Sequence, residues 1–359
     1  MELKRSAVIM AGGRGERFWP QSRLRRPKHL LPVVGETPML RQTIDRLDGL
    51  VPAERVWVIT NSEQVDAVRE ICPEIPAEQI VAEPVGRDTA PAVALAALLV
   101  EQNSGDHAFA MLPADHVIGN TEAFRADLLA GFDAAEKDPV IATIGITPTF
   151  PATGYGYIQS KASDTTKALP VERFVEKPDL PTAESYLSNG GFYWNAGIFI
   201  WRPSTILGAI ENHCPALHES FSSIRNALAA GEPLSAILPR EYPQLEKISI
   251  DYAVMEKAEN VVMVQSTFDW DDVGSWPAIE RHHPKNDDGN IFKGTVVSEQ
   301  SANNLVLTEG GHLIGLVGVE DLMVIHTPDA TLICPKDRAQ DVKKLVKQVE
   351  ALKDGKSYL

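Results

Sequence analysis

The chain has 359 residues, enough at roughly 100–200 per domain for about two domains with full cores. Hydrophobic residues make up 44% and charged residues 23%, and Gly and Pro number only 25 each, which excludes fibrous and low-complexity chains. Lys and Arg total 34 against 49 Asp and Glu, and the net charge of −15 argues against broad contact with nucleic acid or an anionic membrane.

The cysteines Cys72, Cys214 and Cys334 are odd in number, far apart and without metal-site spacing. They read as reduced thiols of a cytoplasmic protein with no zinc site. The first apolar run, 7–11, is too short for a signal-peptide core and leads straight into glycines. The longest run, 92–100, falls well short of a bilayer span. It follows Pro91, which suits the first turn of a buried helix.

The first third alternates strand and helix. Residues 7–10 form a short apolar strand, followed by a Gly-rich turn. Met39, Leu40, Ile44 and Leu47 give 39–47 a helical spacing. Strands are predicted over 55–60, 80–82, 108–112 and 140–145, and helices over 63–71, 91–102 and 122–136. Such alternation implies a parallel sheet covered on both faces. Between 150 and 200, Gly, Pro and aromatics become frequent, and 154–158 and 171–175 are expected in a subsidiary sheet. A further strand is predicted over 195–201, a mostly helical stretch over 204–230, and a short helix, capped at its start, over 251–257.

The polar stretch 282–289 reads as a linker. Short apolar pieces follow at 295–297, 304–307, 313–317, 322–326 and 331–334, separated by turn residues. That rhythm suits a small β-solenoid or meander. Ala339, Val342, Leu345, Val346, Val349 and Leu352 place an amphipathic helix over 337–352.

The strongest local signal is Ala11-Gly12-Gly13-Arg14-Gly15-Glu16-Arg17-Phe18-Trp19-Pro20, continuing to Pro27-Lys28. Glycines directly after a strand let backbone N–H groups approach a phosphate closely. Arg14, Arg17, Arg23, Arg25, Arg26 and Lys28 crowd this segment against one acid, Glu16. In so acidic a protein that reversal points to a polyphosphate ligand. No Gly-Lys-Ser/Thr follows, so this is not a P-loop, and Phe18 breaks the dinucleotide glycine pattern, which removes a nicotinamide-dependent dehydrogenase.

The segment 12–23 with Arg26-Pro27-Lys28 resembles the signature of the sugar-1-phosphate nucleotidyltransferases, and within them the bacterial mannose-1-phosphate guanylyltransferases. Further matches follow in the family's order: Ala82-Glu83-Pro84 with Gly86-Arg87-Asp88-Thr89-Ala90-Pro91, Pro113-Ala114-Asp115-His116, Phe174-Val175-Glu176-Lys177-Pro178 and Trp194-Asn195-Ala196-Gly197-Ile198-Phe199. Ser249-Ile250-Asp251-Tyr252-Ala253-Val254-Met255-Glu256-Lys257 and Trp270-Asp271-Asp272-Val273-Gly274-Ser275-Trp276 complete the set. His29 stands where the family usually has Gln, and Asp88 where it usually has Asn.

The resemblance implies an α/β fold, with a Rossmann-like mixed or parallel sheet over 1–283 and a short left-handed parallel β-helix-like domain with a terminal helix over 284–359. It implies transfer of GMP from GTP to α-D-mannose 1-phosphate, giving GDP-mannose and diphosphate, with Mg²⁺. Arg17, Lys28, Asp115, Lys177 and Asp272 would be the catalytic residues. Ala11, Gly12, Gly13, Arg14, Gly15, Glu83, Gly86, Asp88, Thr89 and Asp115 would bind the nucleotide. Tyr155, Gly156, Glu176, Lys177, Asn195 and Gly197 would bind the sugar phosphate, and Asp115 and Asp272 the metal.

Asp271 competes with Asp272 but occupies a slot usually held by Ser or Thr. Asp251 is open between helix cap and substrate contact, and Trp194, Trp201, Met10, Met255 and Met263 read as packing. As exposed loop cations, Arg17 and Lys28 are expected to add little stability. Asp88 leaves another nucleotide or hexose phosphate open, and a catalytically silent regulatory subunit is the remaining alternative. The C-terminal segment leaves a homodimer contact and a simple cap equally open.

Overall fold

The computed structural model describes residues 4–161 and 167–359. Its first half is built from short apolar strands: β1 (Ser6–Ala11), β2 (Val56–Asn61), β3 (Ile80–Glu83) and β4 (Phe109–Pro113) pair in parallel, and β5 (Ile141–Ile146) joins the sheet through later strands. Four of them are continuous apolar runs because helices cover both faces of the sheet. These helices are α1 (Met39–Asp45), α2 (Val65–Ile71), α3 (Thr89–Ser104) and α4 (Thr121–Lys137). Alanines and leucines bury α3 on every side over 90–100. Its start is fixed by Asp88, whose carboxylate accepts the Thr89 N–H at 2.9 Å.

The second half adds β6 (Tyr157–Ser160), β7 (Ala168–Val175), β8 (Phe192–Trp201) and β9 (Val261–Gln265) to the same sheet, in the order β3-β2-β1-β4-β8-β5-β9-β7-β6. The subsidiary sheet expected from 154–158 and 171–175 is therefore not separate. β8 runs antiparallel between β4 and β5, and its N-terminal part also pairs with β6, which closes these strands onto the main sheet. The sheet is mixed, not wholly parallel. Around it lie α5 (Leu180–Asn189), α6 (Pro203–His213), α7 (Pro215–Ala229) and α8 (Leu234–Glu241). The helical stretch from 204 breaks at Cys214 because Pro215 has no N–H to continue the ladder.

Beyond 290 the short strands stack in parallel. β10 (Ile291–Lys293), β12 (Leu305–Thr308) and β14 (Leu322–Thr327) form one face, and β11 (Val296–Glu299) and β13 (Ile314–Val317) another. This is a short β-helix, ended by the antiparallel β15 (Ala330–Pro335) and then by α9 (Val342–Glu350). At its corner, buried Asn290 and Asn304 stack. The Asn304 amide donates to Asn290 Oδ1 at 3.0 Å and to the Val319 carbonyl at 2.9 Å. No helix of the described residues is long and apolar enough to cross a membrane.

The two parts share a core. Phe18, Trp19, Val273 and Trp276 from the first pack with Leu305, Leu307, Met323, Ile325, Val342 and Val346 from the second. Backbone and side chains lock the join: Trp19 Nε1 donates to the Tyr358 carbonyl at 2.8 Å, and the Leu24 N–H donates to Leu359 at 3.1 Å.

Asn304→Ala should lower stability by about 1–3 kcal/mol, because it leaves buried carbonyls and amides of the β-helix corner without partners. Urea unfolding followed by circular dichroism measures it, and a change near zero would remove the Asn stack as a stabilising element.

Candidate active site

The Gly-rich turn leaves β1 at Ala11. Ala11 itself is buried, and its carbonyl accepts the Thr60 hydroxyl at 2.8 Å, so it anchors the loop and does not line a pocket. Gly15 adopts φ +60°, and a Cβ there would lie 2.5 Å from Ser22 Oγ and 2.8 Å from the Lys28 nitrogen. Only glycine lets the loop fold back so closely on Lys28.

A pocket of about 860 Å³ opens at the carboxyl ends of β1 to β4. Gly12, Gly13, Arg14, Glu83, Gly86, Asp88, Thr89 and Lys247 line it. The crevice beyond the strand ends is where open α/β sheets bind ligands. Glu83 is buried at its floor and accepts the Tyr242 hydroxyl. Burial pushes its carboxyl up to about 7, against the opposing effect of that hydrogen bond.

A second pocket of about 390 Å³ is lined by Arg14, Gly15, Glu16, Arg17, Lys28, Asp115, His116, Asp272 and Lys343. Arg14 and Glu16 border both pockets. Lys28 is at its centre. Its Nζ donates to Asp115 Oδ2 at 2.8 Å, to the Asp115 carbonyl at 2.9 Å and to the Asp272 carbonyl at 2.7 Å. Desolvation alone would raise the Asp115 carboxyl, but the Lys28 ammonium, through its charge and its hydrogen bond and with smaller contributions from neighbouring groups, holds Asp115 down at about 2. His116 lies below its ordinary value, chiefly through burial, and its Nδ1 accepts the Trp270 N–H at 3.1 Å.

Tyr155 carries this centre towards the remaining candidates. Its hydroxyl donates to Asp272 Oδ1 at 2.6 Å, and its ring packs edge-on against Trp194 and Trp270. A Cβ on neighbouring Gly156 would meet Glu176 Oε2 at 2.6 Å and Asn195 Cβ at 3.4 Å, so Gly156, Glu176 and Asn195 are in contact. Lys177 donates to Glu176, and Asn195 accepts the Gly197 N–H at 3.0 Å and donates to Asp251 at 3.3 Å. Burial, reinforced by Glu176, pushes the Asp251 carboxyl up to about 7. Asp88, Lys177 and Val273 all hold positive φ without being glycine, and all three lie in or beside these residues.

The structure revises three expectations and bears on Asp251, which the sequence left open. Lys28 is 6% exposed, so it is a buried charge and not a loop cation of little structural weight. Of the six cations, only Arg14, Arg17 and Lys28 line the second pocket, while Arg23 turns to Asp329 at 2.7 Å and so braces the β-helix. Asp271 is buried against Arg281 at 2.6 Å and His282 at 2.8 Å, which leaves Asp272 as the pocket carboxylate and makes His282 part of the fold, not of a linker. Asp251 makes no capping hydrogen bond; it accepts from Asn195. Sequence reasoning missed Lys343, Lys247 and Tyr242. For Lys343 the only signal was its repeat with Lys347 beside Val342 and Val346.

A nucleotidyl transferase family model matches residues 6–288. The chain belongs to the nucleotidyl transferase family. A MannoseP isomerase/GMP-like beta-helix domain model matches 294–349. Among relatives, a mannose-1-phosphate guanylyltransferase of Klebsiella pneumoniae is 40% identical over 94% of this chain and 72% of its own length. One from Escherichia coli K12 is 38% identical over 97% of this chain and 74% of its own. A Thermus thermophilus crystal structure, described as a mannose-1-phosphate geranyltransferase, superposes with a TM-score of 0.85 at 37% identity, covering 97% of this chain and all of its own.

Glu83 and Asp251 generate a pH prediction. Each folded carboxyl keeps a proton that the unfolded chain releases near its ordinary value, 4.5 for Glu83 and 3.8 for Asp251. Their stabilising contribution is complete below those values and is lost as pH rises through about 7. Glu83→Gln should therefore flatten the decline in urea-unfolding stability between about pH 5 and pH 8. An unchanged slope would show that Glu83 does not titrate in that window.

Proposed function

We propose that this chain transfers GMP from GTP to mannose 1-phosphate, releasing diphosphate. The observation that carries the reading is Lys28, held between Asp115 and Asp272 where the phosphate pocket meets the Tyr155–Glu176–Asn195 cluster. The larger pocket takes the nucleoside, the smaller one the triphosphate, and the cluster beyond Tyr155 the sugar phosphate.

An oxygen of the sugar phosphate attacks the α-phosphorus. The bond to the bridging oxygen between the α- and β-phosphates breaks, and diphosphate leaves with that oxygen and the electron pair. The nucleophile is already an anion, so the protein supplies position and positive charge more than a base. Arg17 and Lys28 face the charge that builds on the departing diphosphate. Lys177 binds the sugar phosphate, and Glu176 and Asn195 accept and donate to sugar hydroxyls, with Gly156 leaving room for the ring.

Asp115 Oδ1 and Asp272 Oδ2 take no hydrogen bond among the described residues. Two hard carboxylate oxygens beside a phosphate pocket suit Mg²⁺, which usually binds through one or two carboxylates and substrate phosphates. Bound there, the ion would neutralise phosphate charge and help align the reacting oxygens.

Mixing the protein with GTP, mannose 1-phosphate and Mg²⁺ should release diphosphate, and EDTA should stop it. Efficient turnover with UTP or dTTP and glucose 1-phosphate, without turnover of the mannose pair, would refute the substrate assignment. Arg17→Ala should lower turnover by about 10²–10³. Lys28→Ala should lower it similarly and also destabilise the fold, since it leaves Asp115 without its cation. Asp115→Asn and Asp272→Asn should each abolish Mg²⁺-dependent release while keeping the side-chain shape. Wild-type rates in all four variants would leave the pocket without a catalytic role.

A further inference from the structure

The second pocket is not closed by the catalytic sheet alone. One of its walls is Lys343 in α9, more than 300 residues along the chain from the Gly-rich loop it faces. Helix α9 packs against the 16–18 turn, and Val342 and Val346 enter the core that holds Phe18 and Trp19. With those two valines fixed inward, Lys343 is carried to the flank that looks into the pocket. Arg14 adds a second tie, 3.7 Å from Glu350 on the same helix.

Two features distinguish Lys343 from a solvated surface lysine. Its neighbour Lys344 pairs with Asp341 at 2.7 Å, whereas no carboxylate lies within ion-pair distance of Lys343 among the described residues. Nearby Glu16 does not offset the combined effect of partial desolvation, Arg17 and Lys347, which keeps the ammonium below its ordinary value. A cation held beside other cations with no anion of its own is stabilised by an incoming one.

We propose that Lys343 is a phosphate-binding residue, supplied by the C-terminal domain, that holds the β- and γ-phosphates of the nucleotide and then the departing diphosphate. This rests on the reading of the pocket as a nucleotidyl-transfer site. The consequence is that the β-helix and its terminal helix complete the active site and are not merely an appendage to it. Arg17 and Lys28 grip the phosphates from the Gly-rich segment, and Lys343 from the helix packed against it.

The test uses the full chain and inorganic diphosphate with Mg²⁺, with binding measured by calorimetry alongside steady-state kinetics. Lys343→Ala should weaken diphosphate binding by about tenfold, the loss of one charge-assisted hydrogen bond. It should raise the KM for GTP by a similar factor and leave the KM for mannose 1-phosphate unchanged. Lys343→Arg should restore both, and Lys344→Ala should match the wild type. Lys343 is exposed, so thermal unfolding should be the same in all variants. A wild type that turns over while Lys343→Ala binds diphosphate equally well overturns this inference alone, as does failure of Lys343→Arg to restore binding. A wild type that neither binds diphosphate nor transfers a nucleotide overturns the functional reading and this inference with it.

Discussion

A buried ammonium must be paired or it costs more than the fold can supply. Lys28 is such a group, and its acceptors come from two other segments: Asp115 after β4, and Asp272 in the turn between Trp270 and Trp276. The side chain therefore sets the distance between the Gly-rich loop, the end of a central strand and the last turn of the catalytic unit. Gly15 is the backbone counterpart of the same constraint, since any side chain there would push the loop off Lys28. The Lys28 ammonium holds the Asp115 carboxylate ionised, so the pocket keeps its charge pattern before any ligand arrives.

That loop is also held from behind. Phe18 and Trp19 sit in an apolar cluster made largely by the β-helix and α9. The Trp19 carbonyl accepts the Trp276 indole N–H at 3.1 Å, while its own indole donates to Tyr358. A Gly-rich phosphate loop would otherwise have little to order it, because glycine has the most backbone freedom to lose. Packing its aromatic end against a second domain offsets that cost. The same packing is what sets α9 beside the pocket, with Lys343 in its wall.

How much of this is legible in the sequence depends on the range of the interactions. The strands around 7–10, 55–60 and 108–112 are legible because each is a local apolar run, and the site motifs are legible because each is a short string with its own chemistry. The placement of β8 between β4 and β5 is not, since it depends on antiparallel pairings such as Phe109 with Trp201 that no local pattern encodes. Lys28 reads as exposed because a Pro-Lys-His segment in a basic loop looks solvated. Only the convergence of Asp115 and Asp272 buries it. Lys343 is invisible for the same reason: its meaning comes from where α9 docks. By contrast, the preference for Asp272 over Asp271 rests on a local string and has a structural counterpart, the Arg281 and His282 pairs that occupy Asp271.

The two positions where the chain departs from the pattern it resembles have physical accounts of their own. Asp88, where Asn is usual, holds φ at +68° and accepts the Thr89 N–H through Oδ1. Asp and Asn serve equally well as acceptors at a helix start, and the carboxylate gains a little more from the positive end of α3. The substitution therefore preserves the local role of the side chain at the start of α3. His29, where Gln is usual, is buried, and burial lowers its pKa to about 4. It is a neutral imidazole beside the Lys28 ammonium, so the change from an uncharged amide adds no second charge behind Lys28. His29 thus leaves the charge around Lys28 as a neutral side chain would, whereas Asp88 keeps the acceptor at the start of α3 and adds a negative charge where the helix end is positive.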